Sequence, residues 1–286
     1  MQHECYSCHT STVKKLIEKF KPLSNSANEL LNETQILLKE NANTDNPYLA
    51  AKIHRLVRKK LNNPDPYSEE KMFTNNLILS EYENWKMYIE KSSNPLLCSA
   101  KLAIAGNVID YGAKSVNGNI TDLIKNNLEK PLAIDDSEEL FEQIKKAKNV
   151  LYLGDNSGEI VFDRIFIETI KHPDVFFVVR GEPVINDVTF QDAVQTGMNN
   201  ICKIISNGYD APSTLLEYCS DEFLEIFYKA DLVISKGMGN FEGLYTNKEK
   251  NIYFLLMAKC KPIANMLKVN IGDLVITGKK YYEKSF

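Results

Sequence analysis

The chain has 286 residues, 44% of them hydrophobic, with 34 basic against 38 acidic side chains and a formal net charge of -4. That length and apolar share support one large core, or a core with a smaller companion region. The acidic balance argues against nucleic acid as a partner, which calls for a basic surplus, and no run of roughly 18 apolar residues is present to span a membrane.

The opening Met1-Gln2-His3-Glu4-Cys5 lacks the basic-then-apolar order of a secretory signal. Six cysteines spread along the chain suit a reduced, cytoplasmic protein better than a disulfide scaffold. Cys5-Tyr6-Ser7-Cys8-His9 has the spacing of covalent haem attachment, which would need export. It also offers part of a metal site with His3, without a second Cys pair to complete it, or a redox pair. The favoured reading is a helix start with no metal. Cys98, Cys202, Cys219 and Cys260 sit in apolar patterns expected in the core.

From about residue 10 to 130 the periodicity is helical, with breaks at Asn46-Pro47, Asn63-Pro64-Asp65-Pro66 and Asn94-Pro95. His54 is expected at the surface, and Trp85 in packing. On the apolar stretch Leu102–Tyr111, Asn107 and Asp110 are three apart and share one helical face. Polar groups on such a face need partners, and a bound ligand is one candidate.

Segment 131–147, with Asp135-Asp136-Ser137 before an amphipathic stretch, joins the helical region to the second half of the chain. From about 148 onward, short apolar runs alternate with amphipathic segments: Val150–Leu153, Val175–Val179, Ile201–Ile205, Leu232–Ser235 and Ile252–Met257. This alternation predicts βαβ units and a three-layer α/β/α, Rossmann-like domain with a mostly parallel sheet. The expected division is an all-helical region over 1–130, forming the substrate side of the cleft, and an α/β/α domain over 131–286. His172 is expected at the surface and Phe176-Phe177 in packing.

The first of these runs ends in Gly154-Asp155-Asn156-Ser157-Gly158-Glu159. A buried parallel strand would deliver the oxygens of Asp155 and Asn156 beside a helix N-terminus, at the sheet edge where ligands bind. The free N–H groups there, at Ser157 and Gly158, favour a phosphate. A hard cation held by oxygens beside a phosphate points to metal-assisted phosphoryl chemistry. Glu159 reads either as a support to these ligands or as an exposed helix acid.

The second run ends in Arg180-Gly181-Glu182-Pro183-Val184-Ile185-Asn186-Asp187-Val188-Thr189. Thr189 and Asp192 can cap the next helix, which leaves Asp187 for another role, unless it is only a helix-start acid. The third ends in the turn-rich Ser206-Asn207-Gly208-Tyr209-Asp210. The fourth ends in Ser235-Lys236-Gly237-Met238-Gly239-Asn240-Phe241-Glu242, which reads either as an ammonium and glycine N–H groups meeting an anion or as a flexible glycine loop with a solvated lysine.

Taken in order, Gly154–Arg164, Pro183–Thr189 and Ser235–Glu242 resemble the damage-control phosphatases, the family of domain of unknown function 89. The likeness extends to Asp65-Pro66-Tyr67 with Lys71, to Ala103–Gly112, and to Asp273-Leu274-Val275. It is closest to the compact prokaryotic branch that begins with a Cys-x-x-Cys pair; Ser157-Gly158 departs mildly from the Ala-Gly common in relatives. The resemblance implies a divalent metal (Mn, Mg, Ni or Co) on Asp155, Asn156 and Asp187, and release of phosphate from small phosphorylated metabolites. It also implies a catalytic set of Asp155, Asn156, Asp187 and Lys236, the last on the phosphate. Asn107, Asp110, Ser157, Gly158, Gly237, Gly239 and Asn240 are the candidate substrate contacts. Two other functions fit a strand running into a glycine-containing turn: an S-adenosylmethionine-dependent methyltransferase and a non-catalytic nucleotide or metal sensor. Spacing does not separate water from Asp155 as nucleophile, and the sequence carries no signal for oligomeric state.

Overall fold

A computed structural model describes residues 3–106 and 120–278. Asn107 and Asp110 lie outside the described residues. The described helices before the sheet are α1 (His3–Phe20), α2 (Ser24–Glu40), α3 (Asn46–Leu61), α4 (Ser68–Leu79), α5 (Tyr82–Glu90), α6 (Pro95–Ala105) and α7 (Ile120–Glu129). The Asn-Pro breaks at 46–47 and 94–95 act as helix starts, and the one at 63–66 lies in the turn between α3 and α4. Pro95 opens α6 and the Asn94 Oδ1 accepts from Leu97 N at 3.1 Å, closing an N–H that the helix itself cannot satisfy.

The remaining elements run β1 (Leu132–Asp135), α8 (Ser137–Lys146), β2 (Val150–Leu153), α9 (Glu159–Ile170), β3 (Val175–Val179), α10 (Phe190–Gln195), β4 (Lys203–Ser206), α11 (Asp221–Lys229), β5 (Leu232–Lys236), α12 (Gly237–Leu244), β6 (Ile252–Met257), α13 (Lys261–Leu267) and β7 (Leu274–Thr277). The strands form a seven-stranded sheet in the order β1-β7-β6-β5-β2-β3-β4. Every pairing is parallel except β6 with β7.

Alternate residues of each central strand enter different cores, as a period of two requires. Tyr152, Phe177, Ile234 and Leu255 face α5, α6, α7 and α9. Leu151, Val178, Val233 and Phe254 face α11, α12 and α13. The result is the expected α/β/α stack, with both faces of the sheet covered. The first of these cores is continuous across residue 130: Ala103, Ile104, Ile124 and Trp85 pack in it with the sheet residues. Trp85 meets Phe162 edge-on, ring centroids 5.6 Å apart. Helices α1 to α3 form their own cluster around Leu30, Leu49, Ile53 and Val57.

Several sequence expectations shift. The third run begins as a turn, with Ile201 N donating to Met198 O, so β4 starts at Lys203. β5 extends one residue further to Lys236, which lies opposite Leu255. Two strands, β1 and β7, lie in segments not read as strands. His54 is buried, 4% exposed, instead of lying at the surface. Its face of α3 packs against α1 and Tyr67, and burial depresses the imidazole to about 3, with the His9 and Arg58 charges adding. Cys98, Cys202, Cys219 and Cys260 are half-buried at the margins of the cores, and all described cysteines are free thiols.

Candidate active site at the carboxyl ends of the strands

From β2 the chain proceeds outward through β3 and β4, then returns to β5 on the other side of β2 and continues to β6. The crevice between β2 and β5 is therefore a topological switch point, where the loops from two neighbouring strands part and leave room for a ligand. Asp155 follows β2 and Gly237 follows β5, and the two touch. A Cβ on Gly237 would overlap the Asp155 carboxylate, and the residue sits at a φ of +77° that favours glycine.

On the other flank, the loop after β3 folds back to the loop after β2. Val188 N donates to Asp155 O and Ser157 N to Asn186 O, both at 2.9 Å, and Asn156 forms an isolated antiparallel bridge with Asp187. Asp155, Asn156 and Asp187 are thereby brought to one place. Thr189 and Asp192 make the expected capping box at the start of α10, which frees Asp187 from capping. The Asn156 Nδ2 lies 2.6 Å from Asp155 Oδ2 and 3.3 Å from Glu159 Oε2.

Arg180, the first residue after β3, reaches into this group. Its Nε donates to Asp187 Oδ2 at 2.7 Å, and its Nη2 stands 3.9 Å from Asp155 Oδ1. Burial pushes the Asp187 carboxyl up to about 7; the guanidinium opposes that and the Asp155 charge adds to it. One fixed cation faces two acids in a nearly dry crevice and offsets only part of their repulsion.

Lys236 is placed differently from the sequence expectation of a phosphate contact. Its side chain is wholly buried, and its ammonium donates to Glu159 Oε1, to Asp163 Oδ1 at 2.5 Å and to the Ala103 carbonyl at 2.8 Å. Tyr152 Oη also donates to Asp163 Oδ1, at 2.7 Å. An ammonium has three hydrogens, so these acceptors use its capacity. Burial alone would lower the amine; Asp163 and Glu159 outweigh it and raise it above the ordinary lysine value. One ammonium cannot balance two carboxylates without water, so burial pushes Glu159 up to about 8 despite Lys236. Glu159 is thus a buried link between Lys236 and the Asn156 amide.

The candidate substrate contacts also divide. Gly158 N donates to Asn75 Oδ1 at 2.6 Å, so that N–H is already engaged. Asn240 is wholly buried: its Nδ2 donates to the Gly154 and Lys236 carbonyls at 3.1 and 2.9 Å, and its Oδ1 accepts from Thr214 and Arg180. A Cβ on Gly239 would overlap the Pro212 carbonyl, so this glycine lets α12 touch the loop after β4. The Ser157 hydroxyl is buried without a hydrogen-bond partner.

Asn75 and Arg180 carry no signal of a site role in the sequence, and Lys71 carries one only through the resemblance. Lys71, 4% exposed, pairs with Asp65 at 2.9 Å and Asp192 at 3.0 Å, tying α4 to the start of α10. Asn75 Nδ2 donates to the same Asp192 at 3.1 Å. The loop after β4 is also anchored: Asp210 pairs with Arg55 and with Arg58 of α3, and Arg58 donates to the Pro183 carbonyl. The available signal was compositional, since arginine and lysine flanked by apolar runs are buried only with partners.

The residues present suit a hard divalent ion. Two carboxylates and an amide, whose oxygen can be presented by a half-turn of the side chain, offer oxygen donors only, and the pocket carries an acid in excess of its guanidinium. Among the described residues no group of three or more His, Cys, Asp or Glu forms a metal cluster, so a site here depends on the amide. No described helix is long and apolar enough to cross a membrane.

Known proteins resemble this chain over most of its length. A family model described as the damage-control phosphatase ARMT1-like domain matches residues 1–275. A damage-control phosphatase of Pyrococcus horikoshii is 34% identical over 286 residues, covering 98% of this chain and 99% of that one. One from Archaeoglobus fulgidus is 35% identical over 255 residues, covering 86% and 88%. An uncharacterised protein of Methanocaldococcus jannaschii is 41% identical over 242 residues, covering 80% and 78%. The crystal structure of the DUF89 family protein from Pyrococcus horikoshii superposes with a TM-score of 0.88 at 35% identity, over 98% of this chain and 99% of that one. The chain belongs to the damage-control phosphatase ARMT1-like family.

Proposed function

We propose that this protein is a divalent-metal-dependent phosphatase that hydrolyses small phosphorylated metabolites, sugar phosphates and related esters, in the cytoplasm. The observation that carries the reading is the meeting of Asp155, Asn156 and Asp187 at the β2/β5 switch point, built from two strand-end loops joined by backbone hydrogen bonds. When bound, the ion (Mn, Mg, Ni or Co) supplies charge neutralisation for the phosphoryl group.

The residues of the chain divide the remaining work. Asp155 and Asp187 bring carboxylate oxygens to the cation, and Arg180 opposes the upward push of burial on the Asp187 carboxyl. Gly237 leaves the Asp155 carboxylate room that a side chain would take. Lys236 acts one layer deeper, holding Glu159 against the Asn156 amide.

Phosphate release from a panel of sugar phosphates, nucleotides and other phosphate esters tests the reading. Turnover is expected with Mn2+, Mg2+, Ni2+ or Co2+, abolished by chelator and reduced to background in Asp155→Ala and Asp187→Ala. Full activity in chelator, or in either variant, refutes it.

A further inference from the structure

Arg180 lies against both acids of the pocket, and its geometry is unusual for a buried arginine. Its side chain has no exposed surface. Nε is bound to Asp187 at 2.7 Å, and Nη1 donates to Asn240 Oδ1 at 3.1 Å and Thr214 Oγ1 at 3.4 Å. Nη2 has no hydrogen-bond partner and faces Asp155 Oδ1 at 3.9 Å. An unmade bond on a buried, charged donor is expensive. A simple structural ion pair would use that nitrogen, whereas here Asp155 stands just beyond its reach.

We propose that Arg180 is a positioning residue of the metal centre: Nε holds the Asp187 carboxylate by a hydrogen bond, the charge on Nη2 orients the Asp155 carboxylate that faces it, and Asn240 and Thr214 fix the plane of the guanidinium. This rests on the phosphatase reading above. Asn240 extends the frame to both strands of the crevice, because its Nδ2 donates to Gly154 O beside Asp155 and to Lys236 O beside Gly237. The guanidinium is therefore referenced to β2, β3 and β5 at once.

Charge and geometry make opposite demands, which makes the proposal testable. A cation beside a cation site repels the metal, so on charge alone its removal should tighten metal binding. On geometry, its removal should loosen it. A rigid, bidentate-capable fork held by its neighbours favours geometry, and an ammonium at the same place cannot span both acids.

Mn2+ binding to the full chain, measured by calorimetry on wild type, Arg180→Lys and Arg180→Gln, decides between them. Both variants are expected to bind Mn2+ about 10–100-fold more weakly and to lose kcat more than they raise KM. Wild-type affinity in Arg180→Lys, or unchanged or tighter binding in Arg180→Gln, overturns the proposal. Melting of the metal-free proteins reports whether the variants fold. If neither does, Thr214→Val, which keeps Arg180 and removes one of its anchors, must show a smaller loss in the same direction, and unchanged affinity there overturns the proposal. If wild type itself binds no Mn2+ and releases no phosphate, the phosphatase reading fails with it. Wild-type turnover with unaffected Arg180 variants removes the positioning role alone.

Discussion

Lys236 shows how much a single buried charge commits its surroundings. Glu159, Asp163 and Lys236 all have fully buried side chains, so removing the ammonium takes the one cation from two acids that burial already pushes towards protonation. Breaking one side of such a group costs about 3–5 kcal/mol. Lys236→Met is expected to lose stability of that order in urea denaturation, and Lys236→Met with Glu159→Gln and Asp163→Asn to recover much of it. A loss below about 1 kcal/mol in the single variant would show that the network is not the one described. At this scale the sequence was informative about which residues meet and silent about direction. Asp155, Asn156 and Asp187 were legible because a strand end followed by a turn can only open towards the sheet edge. Which way Lys236 turns, and that Arg180 and Asn75 reach inward, depends on partners far along the chain: Asn75 is 83 positions from Gly158, and the Lys236 acceptors lie 73, 77 and 133 positions away.

The junction of β5 and α12 couples backbone conformation to the site. Gly237 has a φ of +77°, and its missing side chain is what lets the Asp155 carboxylate lie against the backbone. Gly237→Ala meets both obstacles: a left-handed conformation costing about 1–2 kcal/mol and a methyl group in the place of a ligand oxygen. The expected outcome is loss of phosphate release and of Mn2+ binding, with far-ultraviolet circular dichroism unchanged. Wild-type Mn2+ affinity in this variant would mean that Asp155 does not need the space. Among the elements themselves, β2, β3, β5 and β6 were legible as continuous apolar runs, the mark of strands covered on both faces. β1 alternates half-buried and exposed residues over only four positions before an acid-rich helix start, too short a pattern to separate from a linker. β7 is buried throughout, but four residues near the chain end carry no βαβ periodicity, and its antiparallel direction comes from the short return after α13.

Across the whole molecule, the helical region and the sheet are bound together by charges and by a shared core. Their stability should also report on acid. The buried His54 imidazole sits at about 3, against an ordinary value of 6.5. Between those values the unfolded chain takes up a proton that the folded chain refuses, so stability falls as pH falls below about 6.5, by up to ~1.4 kcal/mol per pH unit from this residue. At higher pH the contribution is nil. His54→Gln should therefore flatten the acid side of a plot of denaturation midpoint against pH. An unchanged slope would assign it to other groups.

Ala103 on α6 and Asn75 on α4 supply acceptors to Lys236 and Gly158, and Arg58 on α3 grips the loop that carries Asp187. The candidate pocket is consequently a composite of distant stretches of polypeptide, with no self-sufficient half. A chain severed near residue 130 would strand an ammonium's acceptor on one fragment and its donor on the other. The helices are then masonry of the pocket wall, and grafting the later segment alone onto another scaffold would transplant Asp155 and Asp187 without the frame that aims them.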